Sequence, residues 1–481
     1  MVKIDYSKDS MLTDFSKKTL QDRYLVGDEK SPQEAFARAA EAFADDEAHA
    51  QRIYDYASNL WFMFATPVLS NGGTKRGLPI SCFLNYVEDS REGITGHYTE
   101  NAYLSSMGGG IGGGWSDVRS QGTKTSKGSE STGVVPFMKV VDAEMLAFSQ
   151  GVTRRGSYAS YLHMSHPEIE EFLDVRKPTG GDTNRKCINL HHGVVIPDKF
   201  MEIIHRAAHE DNFNDDWELI DPHSGEVKKV VSARTIWVKL LQNRMESGEP
   251  YLMFEDAVQA DLPEFQKRKG LKVNHSNLCS EISLHNSVEE SFVCVLSSMN
   301  LLHYDEWKDT DAVEMMVYFL DAVVTEFITK IDDIKNSGTI EGHRAFFYLE
   351  KAYNFAKRQR ALGLGVLGWH SLLQSKGLPF DSKDSARLNI EVFKLIKDKS
   401  YKASETLAEM FGEPETLVGY GRRNVTLNAI APTTSSAFIL GQVSQSIEPI
   451  WSNAYVKDVA KLKVTIKNPV LQKLLVSIKK D

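Results

Sequence analysis

The sequence predicts an α/β fold in one large domain closed on itself, and three observations carry that expectation. From about residue 160 to 270, segments with apolar residues at helical spacing alternate with short apolar runs of strand length. Further on, Asn424-Val425-Thr426-Leu427-Asn428-Ala429-Ile430-Ala431 reads as a strand that passes straight into a helix start. Alternating strand and helix call for helices packed in layers on a sheet. Finally, no internal repeat, low-complexity segment or Pro/Ser-rich linker divides the 481 residues.

Residues 1 to 60 read as helix, with Ala35-Phe36-Ala37-Arg38-Ala39-Ala40 and Ile53, Tyr54 and Tyr56 at helical spacing. This stretch is too short for a separate nucleotide-binding domain. The apolar run Trp61 to Ser70 is broken by Thr66-Pro67 and followed by the turn Asn71-Gly72-Gly73. Leu78 to Leu84 then reads as a buried strand, ending in the acidic turn Glu88-Asp89-Ser90. A helix from about Thr95 to Ser106 leads into Met107-Gly108-Gly109-Gly110-Ile111-Gly112-Gly113-Gly114-Trp115, whose glycines free the backbone for close approach to something. These glycines follow a helix and not a strand, so the dinucleotide-binding context is missing. Gln121 to Thr132 reads as a polar loop, and Ser149 to Ser157 as a basic, glycine-bearing one whose Arg154 and Arg155 suit a phosphate, a base face or plain solvent.

Beyond this, Pro167 to Val175 and Ala233 to Met245 read as helices and Gly193 to Pro197 as a strand. Residues 311 to 376 read mostly as helix, with Leu362 to Gly368 a tightly packed glycine-rich passage inside, and a further helix runs from about Ser385 to Met410. After the strand at 424 to 431, Pro432-Thr433-Thr434-Ser435-Ser436 sets hydroxyls at a helix start. Four hydroxyls exceed what an N-cap requires, and with the free amides and the dipole they suit an anion.

Composition excludes several classes. A net charge of −9, scattered histidines and no basic arm argue against a nucleic-acid polymer as ligand. The first residues lack the apolar core of a signal peptide and no run approaches a membrane span, which reads as a cytoplasmic protein. The four cysteines, Cys82, Cys187, Cys279 and Cys294, include no CxxC pair, so neither a disulfide scaffold nor a zinc ribbon is indicated. Chemistry concentrates in Asn277-Leu278-Cys279-Ser280-Glu281. On an extended backbone, Asn277, Cys279 and Glu281 would share one face, with Leu278 and Ser280 turned away. Cys294 follows in the apolar run Phe292-Val293-Cys294-Val295-Leu296, which reads as a buried strand. Read singly, each of these cysteines also fits an ordinary buried thiol.

Taken together and in order, these motifs resemble the catalytic large subunit of class I ribonucleotide reductase over nearly the whole chain. Asn277 to Ile282 is similar to that family's finger-loop signature, and Leu278 favours class I over the cobalamin-dependent relatives, which tend to carry proline there. Ser81-Cys82 and Cys294 resemble its reducing cysteines, Ala65-Thr66-Pro67 its substrate-side segment, and Pro432 to Ser436 its diphosphate cradle. The resemblance implies a ten-stranded α/β barrel over residues 61–481, made of two antiparallel five-stranded halves with the finger loop through the middle, behind a helical region at 1–60. It implies reduction of ribonucleoside diphosphates to 2′-deoxyribonucleotides.

The roles implied are specific. Cys279 would be the thiyl radical that takes and returns the 3′ hydrogen, Glu281 the general base on the 3′-hydroxyl and Asn277 the holder of the ribose hydroxyls. Cys82 would protonate the departing 2′-hydroxyl and then close to a disulfide with Cys294. Thr66, Ser81, Arg155, Thr433, Thr434, Ser435 and Ser436 would bind substrate. Asp89, Arg119 and the loop from Gln150 to Tyr158 would bind and relay a dNTP or ATP specificity effector. No metal and no directly bound cofactor is implied, since the radical comes from a metal-containing small subunit. A homodimer and thioredoxin or glutaredoxin as reductant are also implied, and Cys187 matches no functional position. The sequence departs from the pattern in lacking an ATP cone before Thr66, a Tyr-Tyr pair and a terminal cysteine pair. The expectation is a split enzyme completed by a C-terminal companion fragment, a truncated form, or a minimal form using other routes. The alternatives are a catalytically silent nucleotide-binding subunit and an adenosylcobalamin-dependent reductase.

Overall fold

The computed structural model of the chain describes residues 1–80, 82–149, 156–459 and 462–479. In chain order the strands are β1 (Phe62–Phe64), β2 (Cys82–Tyr86), β3 (Gly110–Gly114), β4 (Ser157–His163), β5 (His191–Ile196), β6 (Asp216–Ile220), β7 (Val227–Ser232), β8 (Tyr251–Phe254), β9 (Phe292–Asn300), β10 (Leu362–Leu367), β11 (Ala454–Val459) and β12 (Leu462–Lys467). Helices separate most of them, as the α/β expectation requires. The chain forms two compact units, one of Met1–Ser81, Cys294–Lys330 and Ala356–Asp481, the other of Cys82–Val293 and Ile331–Phe355.

In the second unit β2, β3, β4, β5 and β8 lie side by side, all parallel. This is a five-stranded parallel half of the kind the barrel expectation calls for. β2 to β5 are buried throughout or nearly so, as strands covered on both faces must be, while β8 buries only Met253 fully. Helices Arg91–Ser106 and Val134–Ala147 make two of the crossovers. Ala159, Tyr161, Val195, Met253, Leu262 and Val273 form one apolar cluster, with Tyr251 and Leu278 packed on its border. The antiparallel hairpin β6/β7 also belongs to this unit. The sequence reading passed over it although Trp217 and Leu219 alternate with exposed residues.

In the first unit β9 pairs with β1 antiparallel and with β10 parallel. Helices Pro32–Phe43 and Ala312–Lys335 supply its aromatic core: Phe43 and Phe64 both meet Phe319, at ring separations of 5.5 and 5.3 Å. Ser31 and Glu34 close a capping box at the start of the first of these helices. The antiparallel pair β11/β12 and the helix Pro469–Ser477 follow near the last described residues.

Several elements differ from the sequence reading. The glycine run at 108–114 is not a loop but contains β3. The expected strand at Leu78 to Leu84 starts only at Cys82 and continues to Tyr86, since Pro79 offers no N–H to a ladder. The expected helix over Pro167 to Val175 shrinks to Ile169–Phe172, with single turns after it. Leu362 to Gly368 is not part of a helix but holds β10, whose Leu-Gly alternation suits a strand. Asn424 to Ala431 forms no full strand. It runs extended beside β10, with a single bridge between Leu364 and Asn428.

Candidate active site

The glycines of β3 explain where the cysteine loop lies. A Cβ on Gly112 would stand 2.5 Å from the Ser276 carbonyl oxygen and 2.8 Å from the Asn277 Cα, and one on Gly114 would stand 2.3 Å from the His275 ring. The close approach foreseen for this glycine run is therefore made by the loop itself, whose backbone rests directly on the strand. On the other face, a Cβ on Gly113 would collide with the buried Tyr158. From His275 over Gly114 to Asn277 over Gly112, the loop runs against the direction of β3. Two residues further back along β3 is Gly110, whose neighbour in β2 is Cys82. The loop thus heads for the end of the sheet that carries Cys82.

The loop keeps its shape by side chains bonding to its own backbone. Asn274 Nδ2 donates to the carbonyl and side-chain oxygens of Asn286, and Asn286 Nδ2 donates to His275 Nε2 at 2.7 Å. Ser276 Oγ donates to the Ile282 carbonyl at 2.6 Å, and Asn277 Oδ1 accepts from the N–H groups of Glu281 and Ile282. Burial holds the His275 pKa down at about 4, which keeps the ring neutral so that Nε2 can accept.

This geometry corrects the expectation of an extended stretch. The Ser280 N–H bonds to the Asn277 carbonyl and Ser280 sits at φ +63°, so Asn277 to Ser280 is a turn. An extended segment would have left Asn277 unable to reach the N–H groups four and five residues on. The turn leaves Cys279 exposed, Glu281 half-buried and Asn277 fully buried, with Leu278 leaning on the apolar cluster. Asn277 Nδ2 has no hydrogen-bond partner among the described residues. A buried amide donor without a partner is uncommon and suits a ligand.

Sequence reasoning missed the neighbours of this loop. Tyr161 of β4 is fully buried, and its hydroxyl donates to the Asn277 carbonyl at 2.7 Å. At the starts of β5 and β8, Glu249 accepts from Arg176, from His191 Nδ1 at 2.6 Å and from the backbone and ring of His192. Burial works against charge on Glu249, but His191, His192 and Arg176 hold its carboxyl well below the usual range. Tyr251 stacks on His191, and its hydroxyl is pushed up to about 12 by burial, by Glu249 and by Cys279. Only contacts across the fold single these residues out.

Of the other candidates in this unit, Cys82 is buried in β2. Asp89 and Arg119, thirty positions apart, are brought together at 2.9 Å just past β2 and β3, with His223 Nδ1 at 3.1 Å from the same carboxylate. Behind them Asp221 anchors the polar loop through Ser120 and Thr123. Burial opposes its charge, yet these donors hold its carboxyl well below the ordinary range. Cys187 is buried, and desolvation pushes its thiol up to about 12, which makes it inert.

In the first unit, Cys294 is buried on β9, and a Cβ on Gly363 of β10 would stand 3.1 Å from its sulfur. Thr66 opens the helix Thr66–Asn71 and shares a 3.1 Å hydrogen bond with the Tyr24 hydroxyl. Helix Thr434–Ile439 starts at Thr433 with φ +53° and no side-chain cap. The Thr433 hydroxyl accepts from the Ser446 N–H and Thr434 donates to Gln445, while Ser435 and Ser436 complete the cluster. Ser81, Gln150 and Arg155 lie outside the described residues. Among those described, no three His, Cys, Asp or Glu side chains are grouped to hold a metal, and no helix is long and apolar enough to cross a membrane.

Two family descriptions match the chain: the ribonucleotide reductase all-alpha domain over residues 10–77, and the ribonucleotide reductase barrel domain over residues 80–418 and 414–481. A putative ribonucleoside-diphosphate reductase large subunit of Frog virus 3 is 43% identical over 432 residues, covering 90% of this chain and 72% of the relative. The ribonucleoside-diphosphate reductase large subunit of Invertebrate iridescent virus 3 is 36% identical over 524 residues, covering 99% and 80%. Among solved structures, the class Id ribonucleotide reductase alpha subunit of Actinobacillus ureae superposes with a TM-score of 0.82 at 39% identity, covering all of this chain and 81% of that one.

Proposed function

Because the chain belongs to the ribonucleotide reductase family, we propose that it is the catalytic large subunit of a ribonucleoside-diphosphate reductase and that Cys279 is its reacting thiol. The observation that carries this reading is the seated loop: an exposed Cys279 at a turn whose buried Asn277 offers an unpartnered amide donor. Hydroxide leaves a saturated carbon poorly, so loss of the ribose 2′-oxygen is eased by a radical at the adjacent 3′ carbon. The separate small subunit supplies the oxidising equivalent. Cys279 then takes the 3′ hydrogen, Glu281 accepts the 3′-hydroxyl proton and Asn277 Nδ2 donates to a ribose oxygen. Cys82 gives the proton with which the 2′-hydroxyl leaves as water. Cys82 and Cys294 supply two electrons as they close to a disulfide, and Cys279 returns its hydrogen to the 3′ carbon. An external dithiol, of the thioredoxin or glutaredoxin type, would reopen the disulfide.

The hydroxyls of Thr433, Thr434, Ser435 and Ser436, with Thr66, would receive the substrate diphosphate and ribose. Asp89 and Arg119 would hold a dNTP or ATP effector. Helix Val134–Ala147 and the residue after it expose Val140, Leu146 and Phe148, and this apolar surface supports a homodimer. The experiment is CDP reduction by the purified chain with dithiothreitol, a radical-bearing small subunit and an effector nucleotide. Deoxycytidine diphosphate formed only with the small subunit is the expected result. No product together with retained dNTP binding would move the assignment to a silent nucleotide-binding subunit.

A further inference from the structure

We propose that Tyr161 is the positioning residue of the cysteine loop: its phenol oxygen sets the height of the Asn277–Ser280 turn above the sheet and so the place of the Cys279 thiol. The inference rests on the reading of Cys279 as the reacting thiol. The bonds that give the loop its shape are distinct from the bond that fixes it in place. The bonds from Ser276, Asn277 and Asn286 run within the loop and would survive if the loop moved as a body. The bond from Tyr161 to the Asn277 carbonyl would not, because it comes from the sheet.

The phenol is held as a fixed post. A Cβ on Gly193, the neighbour of Tyr161 in β5, would stand 2.5 Å from the Tyr161 ring, so the ring fills the slot that this glycine leaves open. On its other side the ring lies against His275, with centroids 5.5 Å apart and planes tilted by 33°. Its hydroxyl donates to the Asn277 carbonyl oxygen, the same atom that accepts the Ser280 N–H and so closes the turn. Leu278 packs on the border of the apolar cluster to which Tyr161 belongs. The Asn277 carbonyl oxygen therefore carries both the bond that closes the turn and the bond that ties it to the sheet, and Cys279 lies between Asn277 and Ser280, the two ends of the closing bond. A reacting thiol has to meet its hydrogen donor within a fraction of an ångström, so a support of this kind acts on the chemical step more than on substrate affinity.

The test is Tyr161→Phe in the full chain, which keeps the ring and deletes only the hydroxyl. With the small subunit and dithiothreitol, kcat for CDP is expected to fall at least about tenfold while KM stays within about twofold. A second readout needs no turnover. Cys279 is exposed and the other three cysteines are buried, so iodoacetamide should label one thiol per chain, and the Phe variant should still label one but at least about threefold faster as the turn loosens. Unchanged kcat together with an unchanged labelling rate would overturn the proposal. Labelling of the buried thiols would overturn it too, because it would make Tyr161 a structural residue. If Cys279→Ser retains turnover, the underlying assignment fails. If Cys279→Ser is inactive while Tyr161→Phe behaves as wild type, only the positioning role fails.

Discussion

Strands β3 and β10 both carry glycines that make room for a visiting segment, and they hold the visitor in opposite ways. Beside β10 the visitor is main chain bonded to main chain: Leu362 N–H to Thr426 O, Leu364 N–H to Leu427 O, and Ala429 N–H to Leu364 O. Gly363 and Gly365 clear the space that Leu296, Cys294 and Ala429 fill. On β3 the visitor is the cysteine loop, which lies over the glycines and is fastened by side chains, chiefly Tyr161 and its own Ser276, Asn277 and Asn286. A ladder of backbone bonds forms one cooperative unit with the sheet. A segment held by side chains can be displaced while the sheet beneath it stays whole. The first contact is therefore expected to govern stability and the second reactivity.

The largest effect is expected at the visitor's tip. Cys279→Ser should lower turnover by about three orders of magnitude or more, as loss of an essential nucleophile or radical centre does, with nucleotide binding measured by dialysis unchanged. Next comes Gly112→Ala, whose methyl would meet the Ser276 carbonyl at 2.5 Å. The loop must lift, and a displacement near 1 Å costs roughly a hundredfold in rate, while melting should shift little. Gly365→Ala places its methyl 2.2 Å from the Ala429 carbonyl, inside a bonded ladder. It should show the reverse pattern, with about 1–3 kcal/mol lost in denaturant unfolding, as overpacking costs, and a smaller loss of turnover per folded molecule. Equal rate losses in the two alanine variants would show that the two contacts do not divide stability from reactivity.

The smallest effect concerns a group outside both contacts. Burial pushes the carboxyl of Glu144, on helix Val134–Ala147, up to about 8, and its Oε2 has no hydrogen-bond partner among the described residues. The folded chain therefore holds this proton more tightly than the unfolded chain, whose glutamate titrates at about 4.3. The contribution is complete below about pH 4.3 and is lost as pH rises through about 8. Glu144→Gln should flatten the fall in Tm between pH 6 and 9. A Tm profile unchanged by the substitution would contradict the assignment.

What could be read in the sequence followed from local chemistry. The alternation of helix and strand, the glycine run's need for a close neighbour and the Asn-Leu-Cys-Ser-Glu grouping are all visible in a window of a few residues. The identity of the neighbour was not, because His275 to Asn277 stands more than 160 positions from Gly112. The turn at Ser280 escaped for a related reason: Asn277 Oδ1 trades an extended backbone for two bonds to Glu281 and Ile282, and spacing alone cannot choose between the two. Tyr161 and Gly193 had no signal at all in the chain. A tyrosine and a glycine in separate buried strands become one support only when β4 and β5 pair.

The proposed reaction makes Cys279 the reacting thiol and has Cys82 and Cys294 supply the two electrons. It is tested most directly by one turnover without any external reductant. The reduced chain is mixed with the small subunit, effector and CDP, then quenched, and product and free thiols are counted by peptide mapping. Each deoxycytidine diphosphate formed should accompany the loss of two thiols, Cys82 and Cys294 joined as a disulfide, with Cys279 and Cys187 still free. Product formed with all four thiols intact, or with Cys279 or Cys187 consumed in the disulfide, would contradict it.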